Sequence, residues 1–294
     1  MKTCMFPITI KSERRLDTIL GRFSKHRLVP CGKCRFCRLK LLRAEVSRQY
    51  CEFLHKGCGI FLTLTNDYVS FPDRPDVLVK KELQDFIKRL RFKFSHLTLS
   101  HCSTGEYSSE LNDNGSSKHA HYHCSIFGLS LDHILDLKFL KRNRRGEAYY
   151  ISDTFSKLWR YGYHTISSMS PFTIRYVLNY RMSKRENEAY YNSDGELIQP
   201  PFSLYSKRPA LGLEWLKRNL DKTHVFIDGK RYFFSRYFQD KKLELLGQER
   251  SDVEKKRLIN KMEIGFDQTK KQLSIAQYEQ FIKKTNILKR RILK

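Results

Sequence analysis

The sequence predicts an α+β fold: a central antiparallel β-sheet flanked by helices, with basic helical extensions at the N- and C-termini. Two observations predict the sheet. Gly59–Thr65 is a run of branched and aromatic residues ended by Asn66 and Asp67, and residues 119–127 have the same strand chemistry. Between them lie an amphipathic helix, a further strand and a turn-rich loop, an order that suits an antiparallel sheet with helices packed on it. The third observation is charge. The chain has 56 Lys and Arg against 31 Asp and Glu, a net +25. That excess points to a polyanion, above all nucleic acid.

In chain order, residues 1–30 read as irregular and basic. Residues 38–55 form a helix, with Leu39, Leu42, Val46, Tyr50 and Phe53 at helical spacing. After Gly59–Thr65 comes a Pro-containing loop. Residues 80–94 are then an amphipathic helix, with Leu83, Phe86, Ile87 and Leu90 apolar and Lys88, Arg89, Arg91 and Lys93 basic. Residues 96–107 form a strand that carries Glu106. Residues 108–118 form a surface loop with a turn at Asn114-Gly115. Residues 131–141 and 151–160 read as helical, anchored by Phe155, Leu158 and Trp159, and residues 163–166 as a short strand. Pro171 suits the first turn of another helix. Residues 185–201 read as a linker, Asp228-Gly229 marks a hairpin, and the chain from Tyr237 onward is helical and basic. The expected division is 1–58, 59–184 and 185–294.

No apolar run is long enough to span a bilayer, and the first fifteen residues lack the apolar core of a signal peptide. The expectation is a cytosolic protein with its eight cysteines as thiols.

Three motifs bear on chemistry. On a strand through 119–127, Tyr122, Cys124 and Ile126 share one face and His121 and His123 the other. Paired imidazoles on one face can hold a divalent metal, with His119 in line; the same pattern also suits a polar strand face. Cys31, Cys34 and Cys37 have the close spacing of thiolate ligands for Zn²⁺, with Cys51, Cys58, His55 or His26 as a fourth; the alternative is a Cys-lined turn packed on the helix. Lys33, Arg35 and Arg38 beside them, and Lys88, Arg89 and Arg91 on the second helix, suit phosphate contacts. Tyr176 and Tyr180 are one helical turn apart, which also suits plain aromatic packing. A zinc deaminase shares Pro-Cys-x-x-Cys but needs a His-x-Glu, which this chain lacks.

The order Phe61-Leu62-Thr63-Leu64-Thr65, Gly105-Glu106-Tyr107, His121-Tyr122-His123 and then the Tyr176/Tyr180 helix resembles the HUH endonucleases, the rolling-circle replication initiators. More narrowly, residues 30–38 and 206–212 (PCGKCRFCR and SKRPALG) resemble the initiators of microviruses of the gokushovirus branch. The resemblance covers most of residues 30–235. It implies His121, His123 and Glu106 as ligands of Mg²⁺ or Mn²⁺, and Tyr176 as the nucleophile with Tyr180 as second tyrosine. It further implies nicking of origin DNA through a 5′-phosphotyrosine, with single-stranded and replicative-form DNA and a host helicase as partners, in the cytoplasm of a bacterial host. Two departures stand out. His119-Ala120 replaces the family's frequent Arg-Pro, and a register on 172 and 176 would put Phe172 in place of one tyrosine. The alternative is a basic, zinc-bearing protein that binds DNA without cutting it.

Overall fold

The structure is a computed structural model that describes residues 4–17, 22–67, 77–107, 119–176, 190–191 and 195–248. The chain divides into two compact units. One comprises the residues up to Leu41 with those from Asp240; the other is Leu42–Gln239.

The second unit is built on a seven-stranded sheet in which every pairing is antiparallel. Its strands are β3 (Gly59–Thr65), β4 (Ser100–Tyr107), β5 (Ala120–Phe127), β6 (Leu137–Arg142), β7 (Ala148–Ser152), β8 (His164–Ser168) and β11 (Phe202–Tyr205). They lie in the order β11-β4-β5-β3-β8-β7-β6. The α+β expectation holds. The most buried strands, β4, β5 and β3, lie side by side within the sheet.

Strand alternation sorts the side chains onto two packed faces. Ile60, Leu62 and Leu64 with Tyr122, Cys124 and Ile126 meet Leu83, Phe86, Ile87 and Leu90 of α2 (Lys80–Lys93) and Phe155, Leu158 and Trp159 in and beside α3 (Asp153–Leu158). Burying each large apolar side chain stabilises by roughly 1.5–3 kcal/mol. Val79, at the start of α2, has no capping side chain, and the phenol of Tyr122 accepts its N–H at 2.8 Å instead. On the opposite face, Phe61, Cys102 and Phe127 pack with Val46 and Cys51 of α1 (Arg35–Lys56) and with Ile174, Leu211, Leu216 and Phe238. Both faces are therefore covered, which explains why the histidine side of β5 is far from a solvated polar face.

The Ser206–Gly212 segment fastens this second layer. Ser206 Oγ accepts from the His101 amide at 2.9 Å and from Arg91 at 3.1 Å. The Gly212 amide donates to the buried carboxylate of Glu52 at 2.7 Å. Gly212 has φ 75°, and a Cβ there would lie 2.6 Å from the Arg48 carbonyl oxygen, so glycine is required. It leads into α5 (Leu213–Arg218). β12 (His224–Ile227) and β13 (Lys230–Phe233) then form the expected hairpin, with Asp228 and Gly229 both at positive φ. α6 (Arg236–Leu245) follows. Short strands β9 (Tyr190–Tyr191) and β10 (Leu197–Ile198) pair within the expected linker.

Two expectations fail. Residues 137–142 are strand β6, not helix. Asn143 Oδ1 accepts from the amides of Arg145 and Glu147, closing a turn around Gly146 at φ 82° and pairing β6 with β7. That turn chemistry outweighs the helical spacing of Leu137 and Leu140. Only Leu131–His133 forms a helical turn there, of 3₁₀ type. Residues 1–30 are not irregular: β1 (Ile8–Asp17) and β2 (Arg22–Val29) form an antiparallel hairpin. The Asn114-Gly115 turn and residues 249–294 lie outside the described residues.

Candidate metal centre and tyrosine helix

β5 runs between β4 and β3, and the register sets the site. His121 stands opposite Glu106 on β4 and Thr65 on β3; His123 stands opposite Thr104 and Thr63. Directly opposed residues on antiparallel strands project to the same face within ~5.5 Å. The result is a carboxylate between two imidazoles: Glu106 Oε1 is 2.9 Å from His121 Nε2 and 3.0 Å from His123 Nε2. Glu106 is 1% exposed and His123 5%. Thr63 Oγ1 lies 3.1 Å from His123 Nδ1.

The donor set suits a divalent cation. His121 Nδ1 is 3.2 Å from the His119 carbonyl oxygen, which can only accept, so Nδ1 carries the proton. A neutral ring then aims the Nε2 lone pair at the Glu106 carboxylate, and an imidazolium proton or a metal ion must lie between two acceptors. Adjacent ligands of an octahedral ion at ~2.1 Å are about 3.0 Å apart, which matches both observed separations. Glu106 Oε2 is buried with no hydrogen-bond partner among the described residues, leaving a second oxygen for such an ion. Burial pushes the Glu106 carboxyl up, but hydrogen bonds to both histidines outweigh it and hold the group below its usual range. Burial likewise holds His123 below its usual value, the unprotonated state that ligation needs, against the opposing pull of Glu106. His119 contributes its carbonyl to this arrangement through His121.

The tyrosine helix, α4, is described over residues 171–176. Ser170 caps it: Ser170 Oγ accepts from the Thr173 amide at 3.2 Å and Thr173 Oγ1 from the Ser170 amide at 2.9 Å. Pro171 takes the first turn as expected. Ile174 is fully buried and seats the helix. Tyr176 then lies edge-on to His123, ring centroids 5.5 Å apart, and to Phe61 at 6.0 Å. Phe172 touches Tyr176 at 6.1 Å, and the Arg145 guanidinium lies 3.7 Å over the Phe172 ring. Sequence reasoning missed Arg145 because it missed the β6–β7 turn that carries it. Tyr180 lies outside the described residues.

The other candidates fall elsewhere. α2 packs on the sheet face opposite His121 and His123, so Lys88, Arg89 and Arg91 are not beside the histidines. Arg89 Nε donates to the Leu158 carbonyl at 2.9 Å, and Lys88 is 3.4 Å from Asp85. In the other unit, Cys31, Cys34 and Cys37 do gather, and Cys4 joins them; one sulfur from each lies within 4.8 Å of the rest. Cys51 is buried in an apolar cluster and is not the fourth member; neither are Cys58 and His55. His26 carries no described side chain. Burial pushes the Cys34 thiol up, but the amides of Cys37 and Met5 outweigh it and bring it to about 6. Burial and the neighbouring thiols push Cys37 to about 12. Lys33 and Arg35 are exposed, and Arg38 is half-buried. No helix among the described residues is long and apolar enough to cross a membrane.

Comparison with known proteins agrees with this geometry. Residues 59–186 match the family model of replication-associated proteins of the ORF2 type, a span that contains Glu106, His121, His123 and Tyr176. The chain is 28% identical to the replication-associated protein VP4 of Bdellovibrio phage phiMH2K, over 79% of this chain and 71% of the relative. It is 25% identical to replication-associated protein ORF2 of Spiroplasma virus 4, over 74% and 68% of the two chains. It is also 25% identical to replication-associated protein ORF4 of Chlamydia phage 1, over 72% and 53%. No solved structure matches the chain. The resemblance to microvirus replication initiators drawn from the sequence is borne out.

Proposed function

We propose that this chain, a relative of the microvirus replication-associated proteins, starts rolling-circle replication by nicking one strand of the phage origin with a tyrosine. The observation that carries the reading is the Tyr176 ring set 5.5 Å from His123, itself 3.0 Å from the shared carboxylate of Glu106.

The residues divide the work. Glu106, His121 and His123 would hold a divalent cation, Mn²⁺ or Mg²⁺, which supplies positive charge to polarise the scissile phosphate. α4 presents the Tyr176 hydroxyl, and its oxygen attacks phosphorus in line. A P–O bond to tyrosine forms, the P–O3′ bond breaks, and the phenolic proton leaves as the 3′-hydroxyl gains one. One phosphodiester replaces another, so the 5′-phosphotyrosine keeps the bond energy for later rejoining. Tyr180 would serve as a second nucleophile one turn on. Arg145, held against the tyrosine helix by Phe172, adds a cation for phosphate. The basic excess of the chain supplies grip on DNA in the host cytoplasm, with host replication proteins such as a helicase unwinding ahead.

The experiment is incubation of the protein with single-stranded origin DNA and Mn²⁺, followed by mass spectrometric mapping of any adduct. His121→Ala with His123→Ala should abolish nicking while DNA binding persists. Full nicking by that double variant would overturn the reading. Binding without any nicking by the unaltered protein would favour the non-catalytic alternative.

A further inference from the structure

We infer that Cys4, Cys31, Cys34 and Cys37 form a tetrathiolate zinc site that locks the open end of the N-terminal hairpin to the start of α1. The sulfur separations carry this. Cys4 and Cys31 Sγ are 3.5 Å apart, Cys34 and Cys4 3.9 Å, and Cys31 and Cys37 4.0 Å. Ligands of a tetrahedral zinc at ~2.3 Å stand about 3.8 Å apart. A disulfide needs about 2.05 Å, and all four thiols are free. The backbone is shaped for thiolates as well. The Cys31 amide donates to Cys4 Sγ and the Cys34 amide to Cys31 Sγ, each at 3.3 Å. Gly32, at φ 75°, turns the chain between Cys31 and Cys34.

The fourth ligand comes from the strand register. Ile8 pairs with Val29, which brings the residues just before β1 beside those just after β2. Cys4 and Cys31 are thus neighbours although 27 positions apart in sequence. An isolated two-stranded hairpin is marginal in water, and Met5, Phe6, Ile8 and Ile10 are all exposed. Little apolar burial is left to hold this segment, and metal ligation stabilises small units of that kind. Four thiols give up their protons to the site, leaving a net charge of −2 that Lys33 and Arg35, interleaved with the ligands, offset.

The test uses the full chain. Purified protein, desalted and analysed for metals, should carry one zinc per chain that survives His121→Ala with His123→Ala. Cobalt exchanged for the zinc should show the absorption of a tetrahedral thiolate site. Cys4→Ser should lose zinc, and Cys4→His should retain it. Disulfides in the purified native protein, zinc lost with the histidines, or cobalt spectra lacking thiolate bands would each overturn the site. The cobalt spectrum needs no variant, so a misfolded Cys4→Ser protein leaves the test intact.

A second inference rests on the reading of the chain as a DNA-binding protein. We propose that the outer face of the β12–β13 hairpin stacks the bases of single-stranded DNA. His224 stands opposite Phe233 and Phe226 opposite Arg231, so these four share a face, while Val225, Ile227 and Tyr232 are buried behind it. Phe226 is 56% exposed and Phe233 49%. The Arg231 guanidinium lies 5.6 Å and 6.0 Å from their ring centres. Exposed aromatics flanked by cations match the chemistry of bases joined by phosphates.

Phe226→Ala with Phe233→Ala should weaken binding to an oligo-dT strand about tenfold or more, with thermal melting and the salt dependence of binding unchanged. If the unaltered protein binds oligo-dT and the double variant binds it equally, this proposal fails alone. If the unaltered protein does not bind, the DNA reading fails with it.

Discussion

Thr63 on β3 faces His123 on β5, and its hydroxyl lies 3.1 Å from the Nδ1 of that ring. This contact sets the rotation of an imidazole whose Nε2 is turned toward Glu106. Such outer partners commonly change metal affinity by about 10–100-fold. Thr63→Val keeps the side-chain shape and removes the hydroxyl. The Mn²⁺ concentration for half-maximal nicking should rise about tenfold or more, with the fold retained. An unchanged Mn²⁺ titration would show that the hydroxyl does not orient the ligand.

His101 makes stability depend on pH in a defined direction. Burial, aided by the nearby Arg91 charge, pulls its imidazole from 6.5 to about 4. The folded state therefore holds it neutral, and the unfolded chain takes up a proton first. The contribution is fully present above pH 6.5 and is lost as pH falls from there to about 4, by roughly 3 kcal/mol. Buried His164 is shifted the same way. Urea midpoints should drop between pH 7.5 and 4.5, less steeply for His101→Gln. Equal midpoints at the two pH values would contradict it.

The centre of this fold is legible in the sequence because its signals are local. β5 alternates between Tyr122, Cys124 and Ile126 on one face and histidines on the other, and α2 shows its apolar stripe within fourteen residues. The motifs that suggest Glu106, His121 and His123 are short, and the strand register brings them together. Cys4 is not legible. It reaches Cys31 only through pairing of β1 with β2, and that hairpin has the sequence pattern of irregular chain, so one misread element hides the ligand. Thr63 is hidden for a related reason, since no sequence spacing reveals which residue of β3 stands opposite His123. β6 misleads because Leu137 and Leu140 fit a helix and the decisive turn lies beyond them.

Gly212 should tolerate no side chain. It sits at φ 75° with the Arg48 carbonyl oxygen and the Phe238 ring where a Cβ would project, and its amide satisfies buried Glu52. Left-handed strain alone costs about 1–3 kcal/mol, and the clash adds to it. Gly212→Ala should lower the unfolding midpoint clearly, while Gly229→Ala, with open space at its Cβ, should cost less. Equal losses would mean that the close approach is unimportant.

DNA affinity should fall steeply with salt. A chain of net charge +25 that neutralises several phosphates releases their counterions, and log affinity then falls linearly with log salt. Lys33→Ala or Arg35→Ala should lessen that slope if these residues touch phosphate. Nearly flat dependence for the unaltered protein would argue against a nucleic-acid substrate.

Tyr176 offers the sharpest separation of chemistry from packing. Its ring lies against His123, Phe61 and Phe172, and phenylalanine would keep those contacts while losing the attacking oxygen. Tyr176→Phe should leave melting and DNA binding nearly unchanged and eliminate the covalent adduct. Tyr180→Phe should spare the first nick, because the oxygen beside the histidines remains. An adduct that maps to Tyr180 and survives Tyr176→Phe would reverse the two roles. An adduct that survives both substitutions would mean that another residue attacks, and that the tyrosine beside His123 serves packing alone.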